Sequence, residues 1–394
     1  MPHAAVLISG VSRDTMLARA RALAPRFAER AASAEEARRI PPESANDMLV
    51  AGFARILLPA RVGGYELGFD TWFDVMRELS KADASHGWCA GLIIHHAHLI
   101  AQFPAEAQEA VWADGPDVAV AASVAPNVQA VPVAGGYRLS GKGSPFASGV
   151  DHSSWVMLGG LAHDGGAPEL KFFLIPPGAY TVRDTWFTAG MRATGSKTIV
   201  IDNVFGPDSR ALSAADLRYG KGPGSAVNTG SIFRTPFSYY AAMTFATPML
   251  GAAQGAYERF REWTTTRKAQ DGKSVAEKVS VQVQMARAAA DIDAAELLLS
   301  RAIEAADAPA NHSPQLMARS LRDFARASEL TVAALDTLVA LSGTAGFAAS
   351  HPLQRAWRDL HFMSMHISLN AETNFTHFGR TELGLGSDGS RPFF

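Results

Sequence analysis

Cys89 is the sequence's only cysteine, in a chain of 394 residues. A single thiol excludes an internal disulfide framework, a zinc ribbon and an iron–sulfur cluster carried by this chain alone. No run of five Lys or Arg occurs and the formal charge is −2. Neither nucleic acid nor an anionic membrane is therefore an expected partner. No apolar run reaches about 18 residues. The short apolar patch at residues 1–8 has neither a positive leader nor a long hydrophobic segment, and the expectation is a cytoplasmic protein. The dinucleotide fingerprint fails twice, because Gly141-Lys142-Gly143 and Gly220-Lys221-Gly222 both lack the third glycine. A Walker A loop, a nucleophile elbow and a His-Glu-x-x-His pair are missing too. His95-His96-Ala97-His98 tempts a metal reading, but no Asp or Glu lies between Gly87 and Ala105 to orient such ligands. No metal is expected.

What is present is a chain of 47% hydrophobic residues, enough for a large core and two or three domains. Met16, Ala20, Leu23, Phe27 and Ala31 recur on one helical face within 14–39. Further helices are expected over 42–54, 71–82 and 87–102, the last apolar nearly all round and hence buried. From Asp117 the texture changes to short β-type runs at 118–124, 137–140, 155–159, 171–175, 180–187 and 198–205. Strands without intervening helices suggest an antiparallel barrel or sandwich. The Gly-rich stretch 217–230 reads as a loop. After Phe237 two long stripes return, Val281 to Leu299 and Phe324 to Leu341, as in a helical bundle. The expected class is α+β, mostly α, with a helical domain at 1–116, a β-domain at 117–230 and a four-helix bundle at 231–394.

Several stretches carry a resemblance. Trp186-Phe187-Thr188-Ala189-Gly190-Met191-Arg192-Ala193-Thr194-Gly195-Ser196 precedes a strand run, and Arg267-Lys268-Ala269-Gln270-Asp271-Gly272 follows a helix. Leu341-Ser342-Gly343-Thr344-Ala345-Gly346-Phe347 and Gln354-Arg355-Ala356-Trp357-Arg358-Asp359 come later. With the α–β–α order, these resemble the acyl-CoA dehydrogenase superfamily over nearly the whole chain. In those dehydrogenases the stretch matching Arg267–Gly272 reaches a neighbouring subunit's flavin. The position where many of them carry a catalytic Glu is Ile367, which cannot be a base. Instead, Gly87-Trp88 with His96, Ala122-Ser123-Val124-Ala125-Pro126, Ser148 to Trp155, and Met365-His366-Ile367 are similar to the oxygenase components of two-component flavin hydroxylases. Those enzymes act on hydroxyphenylacetate, steroid-derived phenols, indoles and aromatic polyketides.

The resemblance implies O2 and reduced FMN or FAD as cofactor and a small aromatic substrate; with no nicotinamide site visible, a separate NAD(P)H:flavin reductase is expected, and the long two-faced helices point to a homodimer or homotetramer. The resemblance also implies site residues. His96 would take a phenol proton, Ser148 would meet the flavin N5 edge, and His366 would donate toward flavin-bound oxygen. Ser123 would bond substrate or flavin, while Trp88 and Trp155 would wall the ring site. Arg267, with Ser342 and Gly343, would hold the cofactor, the guanidinium suiting a phosphate. By residue type alone, His96 reads equally as a core histidine satisfied by a carbonyl, and Ser148 as a turn serine. Likewise Ser123 reads as a strand-end hydroxyl, His366 as a helix-surface residue and Arg267 as a solvated helix end. The rival functions are an acyl-CoA dehydrogenase oxidising a thioester and a non-catalytic flavin-binding relative.

Overall fold

The computed structural model describes residues 10–163 and 165–386, and the N-terminal apolar patch lies outside them. Five helices come first: α1 (Arg13–Ala37), α2 (Pro42–Val50), α3 (Phe69–Ala82), α4 (Ala84–Ile100) and α5 (Ala105–Val111). Local chemistry sets the ends of α1. Ser12 Oγ accepts the Thr15 N–H at its start, and Arg38, at φ +54°, turns the chain out at its end. The stripe Met16, Ala20, Phe27 and Ala31 is buried as its spacing requires, with Leu23 partly covered. The Asp83 carboxylate caps α4 by accepting the His86 N–H. Every residue of α4 except Trp88 and Leu92 is buried, so this helix runs through the core.

Seven strands follow: β1 (Val120–Val133), β2 (Gly136–Ala147), β3 (Trp155–Ala162), β4 (Glu169–Ile175), β5 (Thr181–Arg183), β6 (Lys197–Pro207) and β7 (Ala211–Ser213). They form one sheet in the order β5-β6-β2-β1-β3-β4-β7. Pairing is antiparallel throughout except that β1 runs parallel to β3, a departure from the fully antiparallel expectation. The two faces separate by alternation. Trp155, Met157, Phe172 and Leu174 join the helical core, while Val156, Leu158, Phe173 and Ile175 join a second core with residues of β1, β2 and β6. The sheet therefore curls around a core of its own and lays its other face on the helices.

A short helix α6 (Ala214–Arg218) and turns lead to α7 (Met243–Thr266), α8 (Val279–Asp307), α9 (Pro314–Ser342), α10 (Pro352–Ser364) and α11 (Ala371–Glu382). Helices α7 to α10 pack as a bundle, α11 lies on α9, and α3 crosses onto α7 from the N-terminal part. Gly251 and Gly255 make that crossing possible, since a Cβ on either would strike the backbone of Arg77 or Lys81. By length and apolarity α9 could cross a membrane, yet its inner face is packed in the bundle and Asp323 within it pairs with Arg301 and Arg322.

Candidate active site

Helix α4 carries two of the expected site residues and gives each a fixed partner. His96 Nδ1 lies 2.5 Å from the Val120 carbonyl oxygen on β1. A carbonyl can only accept, so Nδ1 holds the proton and Nε2 keeps its lone pair. Burial lowers the His96 pKa to about 4, against the opposing pull of the Val120 bond. The imidazole is thus a neutral acceptor at neutral pH. The contact of Nδ1 with a carbonyl is that of a core histidine, and it leaves Nε2 as an acceptor.

One turn into α4, the Trp88 indole N–H donates to Ser148 Oγ at 3.0 Å. Ser148 Oγ is 2.7 Å from Ser196 Oγ, and Ser196 Oγ is 2.7 Å from Thr194 Oγ1. Thr194 Oγ1 in turn donates to the Met191 carbonyl at 2.8 Å. The segment bends tightly, with left-handed backbone at Met191 (φ +52°) and Gly195 (φ +55°). Met191 tolerates that conformation because its N–H is anchored by the Asp359 carboxylate on α10 at 2.6 Å. Burial, reinforced by Asp83, pushes Asp359 up to about 7.

The third component is aromatic. His366 stacks on Phe245 with ring centroids 3.4 Å apart, and Trp88 meets Phe245 at 5.2 Å and His366 at 6.4 Å. Rather than lying on a helix surface, His366 caps the short turn Ile367–Leu369, its Nδ1 accepting the Ser368 N–H at 3.2 Å. Its proton therefore sits on Nε2 while it is neutral, and burial holds its pKa at about 4. His366 also borders a cavity of about 460 Å³ between α9 and the 364–371 turn. The neighbouring Ile367 is 71% exposed.

The remaining expected residues are held by other partners. Ser123 is inside β1, at the start of its irregular stretch, and its hydroxyl donates to the Pro145 carbonyl at 2.6 Å, tying β1 to β2. It does not end the strand, because β1 continues to Val133. Trp155 opens β3 opposite Val120, one strand from the His96 anchor, with the Arg210 guanidinium 5.1 Å from its ring centroid. Arg267 donates to the carbonyls of Leu341 and Ser342 at 3.2 and 3.3 Å and lies 4.0 Å from the Trp263 ring centroid. Arg267, Ser342 and Gly343 thus cluster at the end of α9, with Arg267 partly exposed and held by two carbonyls. They sit at the opposite end of α7 from Phe245, about 33 Å away at 1.5 Å per residue.

In the histidine cluster, His95 Nδ1 faces Thr244, His96 faces Val120 and His98 Nε2 faces the Ile232 carbonyl. The three rings serve three different elements. Sequence reasoning did not single out Phe245, Thr194 or Ser196. Two hydroxyls flanking Gly195 were the available signal for the last pair.

The profile of the acyl-CoA dehydrogenase N-terminal domain matches residues 13–115, and that of the C-terminal domain matches residues 243–371. The oxygenase subunit HsaA of a flavin-dependent monooxygenase from Rhodococcus jostii is 35% identical over 92% of this chain and 97% of its own length. The oxygenase component of an FADH2-dependent resorcinol hydroxylase from a Rhizobium species is 34% identical, covering 95% of each chain. Among solved structures, XiaF from a Streptomyces species, in complex with FADH2 and glycerol, superposes with a TM-score of 0.89 at 32% identity, over 95% of this chain and 96% of that one.

Proposed function

Since the chain belongs to the acyl-CoA dehydrogenase superfamily, in its branch of flavin-dependent monooxygenase oxygenase subunits, we propose that Ser148 and His366 face the flavin and that His96 faces the substrate. The chain is the oxygenase component of a two-component hydroxylase, acting on an aromatic ring with O2 and reduced flavin from a separate reductase. The observation that carries the residue assignment is the pair of fixed partners on α4. Trp88 is tied to Ser148, and His96 is tied to Val120 with Nε2 left over.

The donor set suits a reduced flavin: aromatic walls from Trp88 and Phe245, one serine oxygen with spare capacity and one imidazole N–H. When bound, reduced flavin supplies the electrons that activate O2 for transfer of one oxygen atom to the ring. His96 Nε2 orients a substrate hydroxyl by accepting its hydrogen bond, and takes that proton as the ring becomes electron-poor during attack. His366 Nε2–H donates toward the oxygen being transferred, while the aromatic walls keep water out. Ser148 holds the flavin edge. We assign Ser123 and Trp155 to the supporting wall, and Arg267, Ser342 and Gly343 to the flavin of a neighbouring copy. The 33 Å along α7 supports that last assignment.

That assignment needs a second copy of the chain, and we propose a homotetramer because exposed apolar residues such as Val279 and Leu297 on α8 offer further contacts. The domain division at 116/117 and 230/231, and a cytoplasmic setting with the reductase, belong to the same proposal. Thioester oxidation is disfavoured, because the position of the dehydrogenase base is the exposed Ile367. The test is turnover. Reduced FMN or FAD, O2 and a panel of phenols, naphthols and indoles should give products heavier by one oxygen, and no such product across the panel would refute the assignment.

A further inference from the structure

The hydroxyl chain from Ser148 has a direction. Each hydroxyl has one proton. Thr194 spends its proton on the Met191 carbonyl, which can only accept, so Thr194 must accept from Ser196. Ser196 then has no proton left for Ser148, and the 2.7 Å contact between them requires Ser148 to donate. With Trp88 N–H already donating to it, Ser148 Oγ has one lone pair to offer and no proton. Reversing the chain would leave one 2.7 Å oxygen–oxygen contact without a proton, or strip the Met191 carbonyl of Thr194. Asp359 and the Trp186 indole, which bind the Met191 N–H and carbonyl at 2.6 and 3.0 Å, hold the end of the chain in place.

We propose that Thr194 and Ser196 are specificity-determining positioning residues that keep Ser148 a hydrogen-bond acceptor, so that the site takes reduced flavin and rejects oxidised flavin. The inference rests on Ser148 facing the flavin edge, as assigned above. Reduced flavin carries a proton on N5 and can donate to Ser148. Oxidised flavin presents only a lone pair there, and two lone pairs repel. Selectivity would then come from Ser196, which contacts Ser148, and Thr194, which contacts Ser196, and the product flavin would be released once it has lost its N5 proton.

The experiment is anaerobic titration of the purified protein with reduced FMN and separate titration with oxidised FMN, repeated with FAD, for wild type, S148A, S196A, S196T and T194V. Removing the Ser196 hydroxyl frees the Ser148 proton to donate. S196A should bind oxidised flavin about tenfold more tightly, the worth of roughly one hydrogen bond, with little change for reduced flavin. The two-electron potential of the bound flavin should fall by about 30 mV in step. T194V should move the same way, and S196T, which keeps the hydroxyl, should behave as wild type. If S148A weakens reduced flavin but S196A and T194V leave the ratio of affinities unchanged, the relay is refuted and the assignment of Ser148 stands. If S148A alters the affinity for neither flavin, Ser148 does not face the flavin and both fail.

Discussion

His96→Ala should separate oxygen consumption from oxygen transfer. The imidazole has two proposed tasks: Nδ1–H satisfies Val120 O, and Nε2 would accept from substrate. Losing the acceptor should cost about 10²–10⁴ in product formation, equivalent to about 2.7–5.5 kcal/mol on the barrier. Losing the donor leaves the Val120 carbonyl unpaired at a position where His96 is only 5% exposed, which costs about 1–3 kcal/mol of stability. His96→Asn tells the two apart, because an amide N–H can restore the bond to Val120 without reproducing Nε2. With reduced flavin supplied, product is measured by chromatography and H2O2 by a peroxidase-coupled assay. His96→Ala should consume O2 within a few-fold of wild type and return nearly all of it as H2O2. His96→Asn should regain stability and no product. Since His96 stays neutral down to about pH 4, the acid limb of wild-type product formation should lie near that value rather than at 6.5. Product and H2O2 falling together in His96→Ala, or product surviving, would refute the role.

Ser148→Ala should instead raise H2O2 release while leaving the residual product-forming step sensitive to His96, and a phenotype identical to His96→Ala would mean one of the two roles is wrong. Stability should decline with acid. Burial lowers the pKa of His95, His96, His98 and His366, the last three to about 4, so the unfolded chain binds their protons below about 6.5 while the folded chain binds them only at lower pH. Asp359 and Asp307, raised to about 7 and about 6, work in the opposite sense. Four imidazoles against two carboxyls leave a net of about two protons, or about 2.7 kcal/mol lost per pH unit between pH 6 and 4.5. Urea midpoints at pH 7, 6 and 5 would show it, and a flat or rising series would contradict it. Light scattering at micromolar concentration should return a tetramer, and a monomer would remove the reason for placing Arg267 against a partner's flavin.

Much of the helical architecture is legible because burial and periodicity coincide. The stripe on α1 and the unbroken apolar run of α4 announce themselves, and the interior position of His96 follows from the latter. Pairing partners in the sheet are not legible in this way. The parallel contact of β1 with β3 depends on β2 turning back on the other side of β1, and no local pattern encodes that choice. The same limit explains the site. Ser148, Ser196 and Trp88 are far apart in sequence and meet only because Met191 and Gly195 bend the 191–196 segment against α4. Nothing in the local sequence marks Phe245, one more aromatic near a helix start. Its place under His366 depends on how α10 packs along α7. Ser123 shows the reverse error, a hydroxyl read as ending a strand that in fact continues past it.

Labelled oxygen gas tests the central claim most directly. The reaction is run with unlabelled water, reduced flavin from a reductase or from chemical reduction, and an aromatic that the panel has shown to turn over. One labelled atom should enter the ring product, with NAD(P)H required only by the reductase. In a parallel anaerobic sample, acyl-CoA should fail to reduce flavin bound to the protein. Label arriving from water instead, or flavin reduced by acyl-CoA without a reductase, would contradict the assignment of this chain as an aromatic hydroxylase.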